Sequence, residues 1–131
     1  MPTVCAFALI LDGRSRLLLC RRKKDGKWNL PGGHLDAKEA PWDTVVREVR
    51  EEIDLDVRVK RLLGVYSVPS QDDLVLTFIC SPVSKTVRAS DEIEQIDWFE
   101  PGRLPTGMRP RHEGRARDAF NNNVVLMRVE D

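Results

Sequence analysis

The stretch Gly33-His34-Leu35-Asp36-Ala37-Lys38-Glu39-Ala40-Pro41-Trp42-Asp43-Thr44-Val45-Val46-Arg47-Glu48-Val49-Arg50-Glu51-Glu52-Ile53-Asp54-Leu55 carries the spacing on which the chain turns. Read as a helix, its second half sets Glu48 and Glu52 at i, i+4 and Glu48 and Glu51 at i, i+3. All three carboxylates then lie on neighbouring turns of one surface. Like charges so close repel unless something neutralises them. A hard divalent cation held by oxygen ligands, Mg2+ or Mn2+, would do so. Trp42, Val45, Val46, Val49 and Ile53 mark the opposite, core-facing stripe.

An acidic helix face is usually no more than a solvated one. Here the face comes with Arg47 beside Glu48, with Glu39 upstream, and with a Pro31-Gly32-Gly33 turn, all at fixed offsets. The pattern resembles the signature of the Nudix hydrolases, G-x5-E-x7-R-E-U-x-E-E-x-G-U, where U is a bulky aliphatic residue. Gly33, Glu39, Arg47, Glu48, Val49, Glu51, Glu52 and Leu55 match it. Six fixed positions at roughly 5–7% usage each would coincide somewhere in the chain with odds of about 10^-5. Asp54 stands where the family usually has glycine. That position follows the helix end, where a left-handed residue is common, and Asp visits that conformation more readily than most.

The resemblance implies a fold and a set of roles. The fold is an α/β/α sandwich, with a mixed, twisted sheet between the box helix and a C-terminal helix. Glu48, Glu51, Glu52 and the carbonyl of Gly32 are the implied metal ligands, for Mg2+ or alternatively Mn2+. Arg47 is an internal brace that pairs with Glu39 or Glu48. The general base is Glu48 or an acid near Glu92 to Asp97, with Glu92 and Glu94 as candidates and Asp97 behind them. The implied reaction is hydrolysis of the diphosphate in a nucleoside diphosphate linked to another moiety. A MutT-like house-cleaning nucleoside triphosphatase and an ADP-ribose-type pyrophosphatase compete as readings. Pro69, soon after the box, leans toward the second. The alternative outside enzymology is a nucleotide-binding sensor domain without turnover, against which every box acid is intact.

The whole chain sets the bounds. Its 131 residues fit one domain, 1–131, with a core of its own. Lys plus Arg and Asp plus Glu both number 21, so nothing argues for a nucleic-acid polymer or a membrane surface as partner. Cys5, Cys20 and Cys80 are odd in number and set in apolar runs, which reads as buried thiols in a reducing cytoplasm. No apolar segment approaches a membrane span. The expected partner is a small nucleotide, and the resemblance leaves room for a homodimer.

In chain order, Thr3–Leu11 reads as a buried strand, Asp12–Ser15 as a turn, and Arg16–Arg21 as the second arm of a hairpin. Arg22, in the basic cluster that follows, is the candidate to fork onto a substrate phosphate. Trp28–Gly33 is a short strand entering a tight turn, with Trp28 structural. Pro41 to about Ile53 is the box helix. Val57–Val68 and Leu74–Val83 are strands, and Tyr66 is either core or a substrate-stacking ring. Pro110 to about Asn121 is a second helix whose Arg111, His112, Arg115 and Arg117 read as solvated charges over a sheet-covering apolar face. Asn121–Asn123 stops that helix. Val124–Val129 is an added strand, at an edge or in a dimer contact.

Overall fold

A computed structural model describes residues 1–84, 86–121 and 124–131. Among the described residues, eight strands and two α-helices run in the order β1 (Thr3–Ile10), β2 (Leu17–Arg22), β3 (Trp28–Asn29), β4 (Gly32–His34), α1 (Pro41–Ile53), β5 (Val57–Val68), β6 (Asp73–Pro82), β7 (Ile93–Phe99), α2 (Pro110–Asn121) and β8 (Leu126–Val129). Short 3-10 turns cover Pro69–Gln71 and Pro101–Arg103.

The strands form two sheets. One is mixed, in the order β4-β1-β6-β5-β8, with β1 parallel to β6 and β8 parallel to β5. The other is antiparallel, β3-β2-β7. Strand β1 shows why a helix lies on each side. It is apolar at successive positions, so it buries both faces. Ala6, Ala8 and Ile10 pack with Val45, Val49 and Ile53 of α1. Phe7 and Leu9 pack on the other side with Ala116, Ala119 and Phe120 of α2. Burying Val45, Val49 and Ile53 fully stabilises the α1 contact by roughly 1.5–3 kcal/mol per side chain, as an upper bound. The implied sandwich is therefore the observed architecture, with its sheet divided in two.

Several local expectations change. β1 and β2 do not make a ladder. Only an isolated bridge, Leu11 to Leu17, joins them, because β1 is taken up between β4 and β6 and β2 between β3 and β7. Trp42 is not on the core stripe: it is 56% exposed, while Thr44, Val45, Val49, Glu52 and Ile53 are buried. The basic residues of α2 are not all solvated, since His112 and Arg115 are buried. The pairing of Arg115 with Glu130 at 2.8 Å makes that burial tolerable. Tyr66 is fully buried and donates its hydroxyl to Asp118, so its ring belongs to the core rather than to a ligand surface. Within the proposed stop Asn121–Asn123, residues 122 and 123 lie outside the described set. Cys5, Cys20 and Cys80 are free thiols, all buried. No described helix is long and apolar enough to cross a membrane.

Candidate active site

Helix α1 starts at Pro41, whose missing N–H costs nothing at a first helical position, and it stops at Asp54. Asp54 is left-handed, φ 53° and ψ 38°, and its N–H donates to the carbonyl of Arg50 at 3.0 Å. The residue that departs from the family pattern thus adopts the conformation that pattern needs. Two further carbonyls of the helix end are taken by a later loop: the N–H of Ser90 donates to Glu52 O and that of Arg88 to Ile53 O. These bonds bring the acidic segment before β7 against the box.

Arg47 occupies the centre of the box. Its Nε and Nη2 fork onto Glu39 at 2.7 and 3.0 Å. Its Nη1 reaches Glu48 at 3.1 Å and Glu51 at 3.2 Å, and Nη2 also donates to the carbonyl of His34. The brace therefore holds Glu39, Glu48 and Glu51 together. Glu39 takes two further bonds, from the Thr44 hydroxyl at 2.6 Å and the Asp36 N–H at 3.1 Å. Hydrogen bonding from Arg47, then from Thr44 and Asp36, pulls the Glu39 carboxyl down to about 2.

Glu52 is the buried acid of the set. Its Oε1 accepts from Arg22 Nη2 at 2.8 Å and its Oε2 from the Gly32 N–H at 2.9 Å. Burial pushes its carboxyl up to about 7; Arg22 and the Gly32 amide act against that shift, and Glu48 and Glu92 add to it. Burial likewise raises Glu48, with Arg47 opposing. The two glycines of the turn are fixed by contact. A Cβ on Gly33 would lie 2.8 Å from the Glu48 carboxyl carbon, and one on Gly32, at φ +152°, would overlap the Ala6 carbonyl.

A cleft of about 310 Å3 is lined by Glu48, Glu51, Glu52, Ser90, Asp91 and Glu92. Of the three candidate bases outside the helix, Glu92 alone is on this cleft. Glu94 is held by Arg21 at 3.0 Å, and Asp97 accepts from the N–H of Trp98. Arg22 bridges the two sides, 2.8 Å from Glu52 and 3.7 Å from Glu92. The spacing alone did not point to Thr44, or to the backbone bonds of Arg88 and Ser90. Their roles depend on which loop meets the helix, and no local signal carries that.

The oxygen-only donor set suits a hard cation. Among the described residues, no three of His, Cys, Asp and Glu close tightly enough to enclose an ion unaided.

The NUDIX domain family matches residues 1–120. A Bacillus subtilis (strain 168) protein provisionally named an 8-oxo-dGTP diphosphatase is 33% identical over 130 residues, covering 98% of this chain and 87% of its own. An ADP-ribose pyrophosphatase of Methanocaldococcus jannaschii is 34% identical over 103 residues, 73% of this chain and 61% of that one. Among solved structures, a NUDIX hydrolase from Nitrosomonas europaea superposes with TM-score 0.89 over 98% of this chain and 78% of its own, at 19% identity. With its whole box spacing in place on that shared fold, the chain belongs to the NUDIX family of hydrolases, enzymes acting on phosphorus-containing anhydrides.

Proposed function

We propose that residues 1–131 form one catalytic domain, a Mg2+-dependent pyrophosphohydrolase that cleaves the diphosphate of a nucleoside diphosphate linked to another moiety. The carrying observation is the cleft that gathers Glu48, Glu51, Glu52 and Glu92 beside the Arg47 brace. The relatives' names set two substrate readings side by side, a nucleoside triphosphate and an ADP-ribose-like compound. Mn2+ is the alternative ion.

Glu48, Glu51, Glu52 and the Gly32 carbonyl would hold the metal. Bound there, it would offset charge on the diphosphate and lower the pKa of a water. Glu39 and Arg47 keep the carboxylates in position. Glu92, across the cleft from the box, accepts the proton of the attacking water, with Glu48 as the competing base. Arg22 forks onto a phosphate oxygen, a shift from the Glu52 bond it makes in this structure. The products are a nucleoside monophosphate and a phosphorylated remainder, or pyrophosphate when a triphosphate is cut.

The test is a Mg2+-dependent hydrolysis screen over ADP-ribose, sugar nucleotides, dinucleoside polyphosphates, NADH, and normal and oxidised nucleoside triphosphates, with products identified by mass. One class should turn over, and Glu52→Gln should abolish that turnover while nucleotide binding persists. Turnover that survives Glu52→Gln would remove the box from the chemistry.

A further inference from the structure

Two cavities of about 310 and 390 Å3 adjoin the box, and apart from Arg22 and the Gly32-Gly33 turn their walls take no part in the chemistry above. The smaller begins at Arg22, Gly32 and Gly33, next to Glu52. The larger runs under the first turn of α2, and Phe7 and His112 are walls of both. Their remaining cations are Lys24, Lys27, Arg109, Arg111 and Arg115, against a single carboxylate, Asp73. Arg109 is neutralised from outside by Asp25, and Arg115 by Glu130. Lys24 and Lys27 make no ion pair among the described residues.

Among the uncharged groups of the wall, His112 adds a donor. His112 accepts the Leu30 N–H at Nδ1, 2.9 Å away. Burial, with Arg115, Arg109 and Arg22 nearby, keeps its ring neutral, so its hydrogen is on Nε2 and that atom donates. Arg115 spends Nε and Nη2 on Glu130 and holds its guanidinium between the rings of Phe7 and Tyr66, 5.5 and 5.4 Å from their centroids. Its buried Nη1 has no partner among the described residues. The opening amides of α2 add a positive helix end. Beside Asp73, the buried Oδ1 of Asn29 is an acceptor on the same walls.

We infer that these cavities receive the far end of the substrate and that this end carries a second phosphate, a phosphomonoester beyond the diphosphate that is cleaved. The inference rests on the function proposed above and narrows its substrate class. A phosphomonoester supplies three acceptor oxygens and nearly two charges. That matches two unpaired ammonium groups, the His112 donor and a helix N-terminus better than a neutral base or ribose does.

The test reads binding by calorimetry without Mg2+, so it does not depend on hydrolysis. The probes are the 5'-monophosphates of adenosine and guanosine and their 2',5'- and 3',5'-bisphosphates. At least one bisphosphate series should bind the unmodified protein about ten-fold or more tightly than its monophosphate, with a gain that shrinks as salt rises. The double variant Lys24→Gln/Lys27→Gln, which removes no hydrogen bond or salt bridge of either side chain among the described residues, should lose most of that gain and leave monophosphate binding unchanged. Equal binding of mono- and bisphosphates, or a gain that survives in the double variant, would overturn the inference, as would discrimination by base alone. Hydrolysis found without this preference defeats only the present inference. The preference found without any hydrolysis in the screen defeats only the proposed function.

Discussion

Arg47 and Glu39 meet in a two-pronged contact, Nε to Oε2 at 2.7 Å and Nη2 to Oε1 at 3.0 Å, that ties the loop before α1 to the middle of the helix. The third nitrogen of the same guanidinium reaches Glu48 and Glu51. One planar group thus fixes carboxylates from two segments. A lysine keeps the charge but not the fork, so it cannot hold all three partners at once. Arg47→Lys should lower kcat by roughly 10–100-fold, the range seen when a group that orients metal ligands is lost. Metal affinity should weaken alongside, and far-ultraviolet circular dichroism should be unchanged. Steady-state kinetics across a Mg2+ titration checks this; an unaltered Mg2+ dependence would count against the brace.

The separation of Glu92 from Glu94 and Asp97 gives a second prediction. Glu92 is on the cleft, while Glu94 is engaged by Arg21 and Asp97 by the backbone beside it. Glu92→Gln should reduce kcat by about 10^2-fold, the low end for loss of a positioned base. Glu94→Gln and Asp97→Asn should stay within about two-fold of the unmodified enzyme, since neither touches the cleft. If Glu92→Gln is as active as they are, the base is Glu48.

Much of this site was legible from spacing because its parts are local. Arg47, Glu48, Glu51 and Glu52 share one helix, and helix geometry alone fixes their common face. The helix bounds followed from Pro41 and from the left-handed tolerance of Asp54. What could not be read depends on partners far along the chain. β1 prefers a parallel neighbour, β6, to the adjacent β2, a choice settled by the two-sided core rather than by the Asp12–Ser15 turn. Arg115 is buried because Glu130 meets it 15 residues on, and His112 because the Leu30 N–H meets it from 82 residues back. Trp42 fits the helical period loosely, yet the true stripe is centred on Val45, Val49 and Ile53 and leaves the ring outside.

Asp54 supports a stability prediction. A side chain in the left-handed region costs roughly 1 kcal/mol relative to glycine, less what a short polar side chain recovers locally. No side-chain bond of Asp54 stands among the described contacts to oppose the change. Asp54→Gly should therefore stabilise by about 0.5–1 kcal/mol and raise Tm by roughly 2–5 °C. kcat should not change, because the backbone conformation and the Arg50 bond stay as they are. A differential-scanning measurement showing a lower Tm would mean that Asp54 is held by something other than its backbone.

His112 supplies the pH dependence. Burial first, then the positive charges of Arg115, Arg109 and Arg22, lower its pKa from the ordinary 6.5 to about 3. Between those values the unfolded chain binds a proton that the folded one refuses, so stability rises with pH there. The contribution is complete above about pH 6.5 and is lost as pH falls, by at most about 1.4 kcal/mol per pH unit. Glu39, with its carboxyl held near 2, adds its own loss only below its ordinary 4.5. From about pH 6.5 to 4.5 Glu39 is silent, and Glu52, its carboxyl pushed up to about 7, acts in the opposite sense to His112: the folded protein binds that proton before the unfolded chain does, so Glu52 adds stability as pH falls. His112→Gln keeps a side-chain oxygen that can accept the Leu30 N–H but cannot titrate. The variant loses only the His112 contribution, so in urea titrations across that window it should gain stability relative to the unmodified protein as pH falls. Parallel curves for the two proteins would show that His112 is protonated in the folded state as readily as in the unfolded one.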